Sequence, residues 1–259
     1  MTDPLNLFIL QKLGEFRWLT NDQLDLMYPQ RGIKTVNRRL ASLAELGWVK
    51  PIGKRQVHKR VHTLTGQGKR ALLRLGLKPK HWTANDARRE MGSGKLQHEV
   101  LINEITARVV AACLARGYGT SVTHEPELER IGYFIPDKHI EVRRGSRIDD
   151  LFLEADGITL RKHHYVEKLE NAAQFVRSED YYDLFRQPRG QKRRTPYFLI
   201  VTAGTERRAW EIHRWVHPAL GEVGKWRITS LQKLSPVSLL YQPIWRTPGQ
   251  ESLVPLFPS

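Results

Sequence analysis

Three carboxylates in the middle of the chain have the types and spacing to hold a hard cation. Asp137 follows the apolar run Ile131-Gly-Tyr-Phe-Ile135 and Pro136, and Glu154 and Asp156 stand two residues apart in Leu151-Phe-Leu-Glu-Ala-Asp-Gly157. Residues two apart on a strand face the same way. Two neighbouring strands ending in these acids would therefore bring all three to one edge of a sheet. Oxygen ligands at such an edge hold a hard cation, Mg²⁺ or Mn²⁺, which polarises a phosphoryl oxygen and lowers the pKa of bound water. The alternative is a charge-paired edge, with Arg143, Arg147 or Arg161 opposite the acids and no metal required.

The elements that must position these acids come from periodicity. Helical stripes run through Leu101, Ile105, Val109 and Cys113 (helix 96–116), and through Tyr165, Leu169, Ala172, Phe175 and Val176 (helix 162–186). Strands are expected at Thr120–Glu125, Gly132–Pro136, Asp150–Glu154, the fully apolar Pro196–Val201, and Lys225–Thr229, with a helix over Thr205–Trp215. The order α-β-β-β-α-β-α-β predicts a mixed sheet with helices packed on it, an α+β or α/β fold, over residues 95–230. Residues 231–259 are Pro-rich and are expected to form a tail packed on a surface or partner.

Ahead of this module, residues 1–92 read differently. Leu5, Phe8, Ile9 and Leu13 mark one helix, and Thr20 caps a second with Leu24 and Met27. A third, with Val36, Leu40, Leu43 and Leu46 on one face, ends at Gly47. Two extended runs, Trp48–Lys50 and Val57–Leu64, follow, and then a helix from Thr65. The segment 76–95 has linker chemistry, with Gly92–Gly94 as the expected boundary. Of the net charge of +15, residues 1–95 hold +12 (19 Lys and Arg against 7 Asp and Glu), whereas residues 96–259 hold 23 against 20. That asymmetry points to a polyanion-binding N-terminal module.

Asn37-Arg-Arg-Leu40…Leu43…Leu46-Gly-Trp-Val49, followed by His62-Thr-Leu-Thr65…Gly68…Ala71-Leu72, resembles the winged helix-turn-helix superfamily. Such domains place an arginine-bearing helix in the major groove and a basic hairpin on the backbone. The resemblance makes Arg38 the candidate base reader, with Lys34, Asn37, Arg39 and Ser42 beside it. Lys54, Arg55, Lys59 and Arg60 become candidate phosphate contacts, with Lys192, Arg193 and Arg194 as secondary ones. The alternatives are a purely structural third helix and a winged domain used for dimerisation.

The order of elements, with Asp137 and the acid-x-acid pair on successive strands, resembles the restriction-endonuclease-like PD-(D/E)XK fold. The whole chain is similar to the replication-relaxation family of plasmid and mobile-element proteins, through His98-Glu-Val-Leu101-Ile-Asn103, Pro136-Asp137, Glu154-Ala-Asp156-Gly-Ile-Thr159 and Lys168-Leu169. The resemblance implies Asp137, Glu154 and Asp156 as metal ligands. A lysine would stand two residues after the Glu in the nuclease fold. Asp156 occupies that position here, so the resemblance implies that Lys168 or Lys162 on the following helix supplies the positive charge, with Glu104 on the first helix as a further acidic ligand.

The sequence therefore supports a DNA-binding protein of a plasmid or mobile element, acting in replication initiation or relaxosome assembly. A metal-dependent endonuclease and a transcriptional repressor are the alternatives. Double-stranded DNA is the expected partner, with a replication or mobilisation protein beside it, and a homodimer would suit a palindromic site. No apolar run approaches the ~20 residues of a membrane span. The N-terminus has no secretory signal pattern, and the single Cys113 excludes an intrachain disulfide, so a cytoplasmic protein is expected. Tyr181-Tyr182 lacks the accompanying histidines of a tyrosine relaxase. His163-His164 point about 100° apart on a helix, which is poor geometry for one metal.

Overall fold

The computed structural model describes residues 3–52, 60–79, 93–124, 128, 134–157, 162–178, 181, 196–220 and 225–257. Its contacts divide the chain into two compact units, Met1–Ala107 and Arg108–Ser259, so the dividing point falls inside a long helix.

The first unit has helices α1 (Pro4–Phe16), α2 (Asn21–Met27), α3 (Ile33–Glu45) and α4 (Gly66–Arg74) and short strands β1 (Leu19–Thr20), β2 (Val49–Ile52) and β3 (Val61–Leu64). The strands form an antiparallel sheet in the order β1-β3-β2. Side-chain caps open α1, α2 and α4. Asp3 accepts from the Leu5 amide ahead of Pro4, and Thr20 and Gln23 form a reciprocal capping box that opens α2. Thr65 caps α4 by accepting from the amides of Gln67 and Gly68. Gly68 is required there, because a Cβ would lie 2.1 Å from the Trp48 carbonyl oxygen. The chain leaves α1 through Arg17, which takes a positive φ of 67°. Asn103 holds that turn from both sides, donating to the carbonyls of Phe16 (3.3 Å) and Trp18 (2.7 Å). Asn103 lies on α5 (Ser93–Leu114), whose Leu96 also packs with Trp18 and Val61.

The second unit is a five-stranded mixed sheet in sequential order: β4 (Gly119–His124), β5 (Lys138–Arg144), β6 (Arg147–Asp156), β7 (Tyr197–Thr202) and β8 (Lys225–Ser230). The pairs β4–β5 and β5–β6 are antiparallel, and β6–β7 and β7–β8 are parallel. Helices α6 (Lys162–Arg177) and α7 (Glu206–Leu220) supply the crossovers. They bury Tyr165, Leu169, Phe175, Ile212 and Val216 against Phe152, Phe198, Ile200, Trp226 and Ile228 on one face of the sheet. On the other face the C-terminal segment returns to the sheet. Arg246 bridges to Ile228, Trp245 to Val254, and the Phe257 ring meets Tyr197 edge-on at 5.4 Å. The α-β-β-β-α-β-α-β order expected from the sequence is the observed one.

One element differs from expectation in a way that matters. Phe134–Pro136 carry no strand, and the second strand begins after Asp137 at Lys138. Between Asp137 and Leu151 the chain forms a hairpin, in which Gly145-Ser146 joins the paired Arg144 and Arg147. Gly145 supplies the positive φ (60°) that such a tight turn needs. The alternation of Ile140 and Val142 with His139, Glu141 and Arg143 is a half-buried strand pattern, masked in composition by its charged partners.

His62 on β3 offers a test of the first unit. It is 6% exposed, and neither ring nitrogen has a hydrogen-bond partner among the described residues. Burial, with Arg60 adding to it, pulls its pKa from 6.5 down to about 4. Between those values the unfolded chain binds a proton that the folded chain refuses, so stability falls as pH drops through the window. Urea unfolding should show about 2 kcal/mol less stability at pH 5 than at pH 7 from this group, an increment that His62→Leu removes. Equal pH dependence in both proteins would contradict the assignment.

Candidate functional site

The hairpin brings the three acids together. Because β5 runs antiparallel to β6, its start lies beside the end of β6. Lys138 pairs with Leu153, and the Asp137 carboxylate accepts the Ala155 amide at 2.7 Å. Asp137 thereby prolongs the β5–β6 ladder by one bond with a side chain. Glu154 and Asp156 follow Phe152 on the helix-covered face, with relative exposures of 5% and 0%.

Charged groups from the helices meet these acids. Asp156 accepts from the Arg208 guanidinium twice (Nε 2.9 Å, Nη2 3.2 Å) and from the Thr202 hydroxyl at 2.8 Å. Hydrogen bonding to Asp156, foremost, raises the Arg208 pKa. Lys168 on α6 forms an ion pair with Glu154, whereas Lys162 is exposed at the start of that helix. The arginines expected opposite the acids pair elsewhere: Arg143 meets Glu141 and Arg147 meets Asp149 near the hairpin turn, while Arg161 lies outside the described residues. Sequence reading also misses Tyr165. Its phenol is buried beside the acids, and burial first, then the charges of Asp156, Glu154 and Asp137, push its pKa well above the ordinary value. It stays protonated. Its place in an apolar helical stripe carries no sign of these neighbours.

Beyond this cluster the polar row continues. Thr202 and Ser230 stand level with Asp156 at the ends of β7 and β8. Ser230 donates to Glu206 (2.5 Å), which also meets Lys233 (2.8 Å) and Arg246 (3.5 Å).

Each of the three acids is engaged by a group of the protein's own. Asp156 is committed to a guanidinium and a hydroxyl, Glu154 to an ammonium, and Asp137 to a backbone amide. Among the described residues no group of three or more His, Cys, Asp or Glu is arranged to hold a metal. Glu104, the fourth proposed ligand, lies on α5. The arrangement can neutralise and fix a sheet edge, and no phosphoryl-transfer step follows from it. His163 is exposed on α6, and Tyr181 is a core residue, edge-on to Phe175 at 5.6 Å.

In the first unit, Lys34, Asn37 and Arg38 are exposed on α3, and Arg60 is exposed just before β3. Lys34 and Arg38 meet no carboxylate among the described residues. Arg39 does: it is tied to Asp3. Asn37 accepts from Asn21 at 2.5 Å, and the Ser42 hydroxyl bonds back to the Arg38 carbonyl at 3.2 Å. Lys54, Arg55, Lys59, Lys192, Arg193 and Arg194 lie outside the described residues. No described helix is long and apolar enough to cross a membrane.

The Asp156–Arg208 pair predicts a stability signature. Arg208→Ala leaves a fully buried carboxylate without its counter-ion and should cost about 3–5 kcal/mol in urea unfolding. Asp156→Asn combined with Arg208→Gln should recover part of that loss. A single-variant loss below about 1 kcal/mol would refute the pairing.

The replication-relaxation family matches the chain over residues 10–187. No curated protein matches it. Among solved structures, the restriction endonuclease FokI bound to DNA is similar at 11% identity and a TM-score of 0.30, over 85% of this chain and 41% of that one. This chain thus spans less than half of that protein's length.

Proposed function

This chain belongs to the replication-relaxation family, and from that premise we propose that it binds double-stranded DNA site-specifically in the replication or mobilisation of a plasmid or other mobile element. The N-terminal unit is read as a winged helix-turn-helix, in which α3 follows α2 across a short turn and β2 and β3 form the base of the wing. The observation that carries the reading is the outer face of α3, where Lys34 and Arg38 are exposed without carboxylate partners among the described residues. Arg38 is the base reader, since a guanidinium forks onto the O6 and N7 of guanine. Lys34 and Arg60 are phosphate contacts, which set register without reading sequence. Arg39 and Ser42 are withdrawn from readout because their polar groups are engaged within the unit. Asn37 joins α3 to Asn21 at the start of α2 and sets the angle between the two helices.

The C-terminal unit acts in this reading as a binding scaffold. The engagement of Asp137, Glu154 and Asp156 by internal donors argues against the endonuclease alternative, and no observation favours a repressor over a replication protein.

Footprinting on the replication and transfer origins of the element that encodes the chain tests the proposal. Arg38→Ala should weaken binding to the protected site by about 1–3 kcal/mol and relax preference at one position. Lys34→Ala should weaken binding to all duplexes alike and lower the salt slope by about 0.9. Uniform weakening by Arg38→Ala would show that α3 does not read bases.

A further inference from the structure

Many described cations of the second unit meet carboxylates: Arg144 and Arg147 meet Asp149, Arg208 meets Asp156, Lys168 meets Glu154, and Lys233 and Arg246 meet Glu206. Two half-buried cations on β8 meet none among the described residues. Lys225 and Arg227 stand two residues apart, on the same face, and flank the ring of Tyr197 at 4.9 Å and 5.6 Å from its centroid. Lys225 donates to the Tyr197 hydroxyl at 3.3 Å. Arg227 is held by neutral acceptors. Its Nε donates to the Pro255 carbonyl (3.2 Å), and its Nη1 donates to the Trp226 carbonyl (2.9 Å) and the Thr247 hydroxyl (3.2 Å).

This arrangement is costly as it stands. A half-buried guanidinium with no counter-ion loses hydration without Coulombic return, and burial lowers the Arg227 pKa despite the neighbouring Tyr197. A second positive charge on the same strand face adds repulsion. What the arrangement gains is geometry. Three bonds fix the plane of the guanidinium. A planar fork fixed in this way, beside a compact ammonium, is suited to the tetrahedral oxygens of a phosphate.

We propose that Lys225 and Arg227 form a phosphate seat, in which the C-terminal unit contacts the DNA backbone independently of base sequence. The inference rests on the DNA-binding reading given above. The anion supplies the charge that the described residues leave unanswered around Tyr197. The segment after β8 takes part by placing Thr247 and Pro255 as the acceptors that orient Arg227. That gives the returning C-terminal segment a role in binding as well as in packing.

The test is the salt dependence of duplex binding by the full chain, for wild type, Lys225→Gln, Arg227→Gln and Arg227→Lys, with two duplexes of unrelated sequence. Each Gln variant should lower the slope of log K against log salt by about 0.9 on both duplexes. Arg227→Lys should keep the slope but bind more weakly, having the charge without the fork. Wild-type binding with unchanged slopes in Lys225→Gln and Arg227→Gln overturns the seat and leaves the DNA-binding reading intact. So does a fall in melting temperature for Arg227→Gln with no change in slope, since that is the signature of a structural brace. Lys225→Gln carries the test alone should the arginine variant not fold. Wild type that binds neither duplex overturns both proposals. Binding of a polyglutamate peptide, lost in Lys225→Gln, with no effect on DNA would assign the seat to a protein partner and overturn it as a DNA contact.

Discussion

A carboxylate with no solvent exposure, Asp156, sets the terms for the second unit. Such a charge is tolerated only when it is paired and hydrogen-bonded, and three elements are arranged to do this. β7 contributes the Thr202 hydroxyl, which also accepts the Gly204 amide. The β7–α7 connection contributes the Ala203 amide to the Asp156 carbonyl. The first turn of α7 contributes Arg208, whose stem passes so close to Gly204 that a Cβ there would lie 3.0 Å from the Arg208 Cβ. The Arg208 guanidinium also lies 4.7 Å from the ring centroid of Trp215, two turns further along the helix. A single buried charge therefore specifies where β6 ends, how β7 turns and at which rotation α7 docks.

The acids at this edge are answered by groups of the same unit. Glu206 repeats the solution next door, in the favourable field of the α7 N-terminus, by taking up Ser230, Lys233 and Arg246. Asp156, Thr202 and the Ser230–Glu206 pair are thus engaged in joining helix to sheet. Ligands of open α/β sheets commonly sit at this end of the strands, and here the position is filled by the protein's own cations.

Much of this is legible in the sequence, for physical reasons that can be named. Apolar strands such as Tyr197–Thr202 and the Leu101–Cys113 stripe fit one period each, so element order follows directly. The grouping of Asp137 with Glu154 and Asp156 is also reachable from spacing, although by the wrong route. Two successive strands ending in acids would meet at one edge only if they ran parallel, whereas the observed hairpin joins the start of one strand to the end of the next. Lys138–Arg144 is hidden because Ile140 and Val142 are its only apolar residues, and Gly145-Ser146 alone marks the turn. The partners of the acids are not legible at all. Arg208 lies 52 residues from Asp156 in sequence, and nothing local distinguishes it from its neighbour Arg207, whose side chain is 90% exposed. Tyr165 is hidden by serving as core and as polar neighbour at once.

The two units use positive charge in opposite ways, and this is where sequence composition becomes mechanism. Residues 96–259 contain nearly as many acids as bases, and the second unit spends many of them on each other, so its long-range field is weak. The first unit carries most of the excess charge, and on α3 it leaves Lys34 and Arg38 facing water. Exposed charges of one sign act over a Debye length of about 8 Å at physiological salt and dominate encounter with a polyanion. Paired charges contribute little at that range but hold geometry at contact distance. Under the proposed DNA-binding reading, α3 would lead the encounter and the charge-paired second unit would supply stability. On this argument the half-buried pair Lys225 and Arg227 is informative, because the described acids of the unit pair elsewhere.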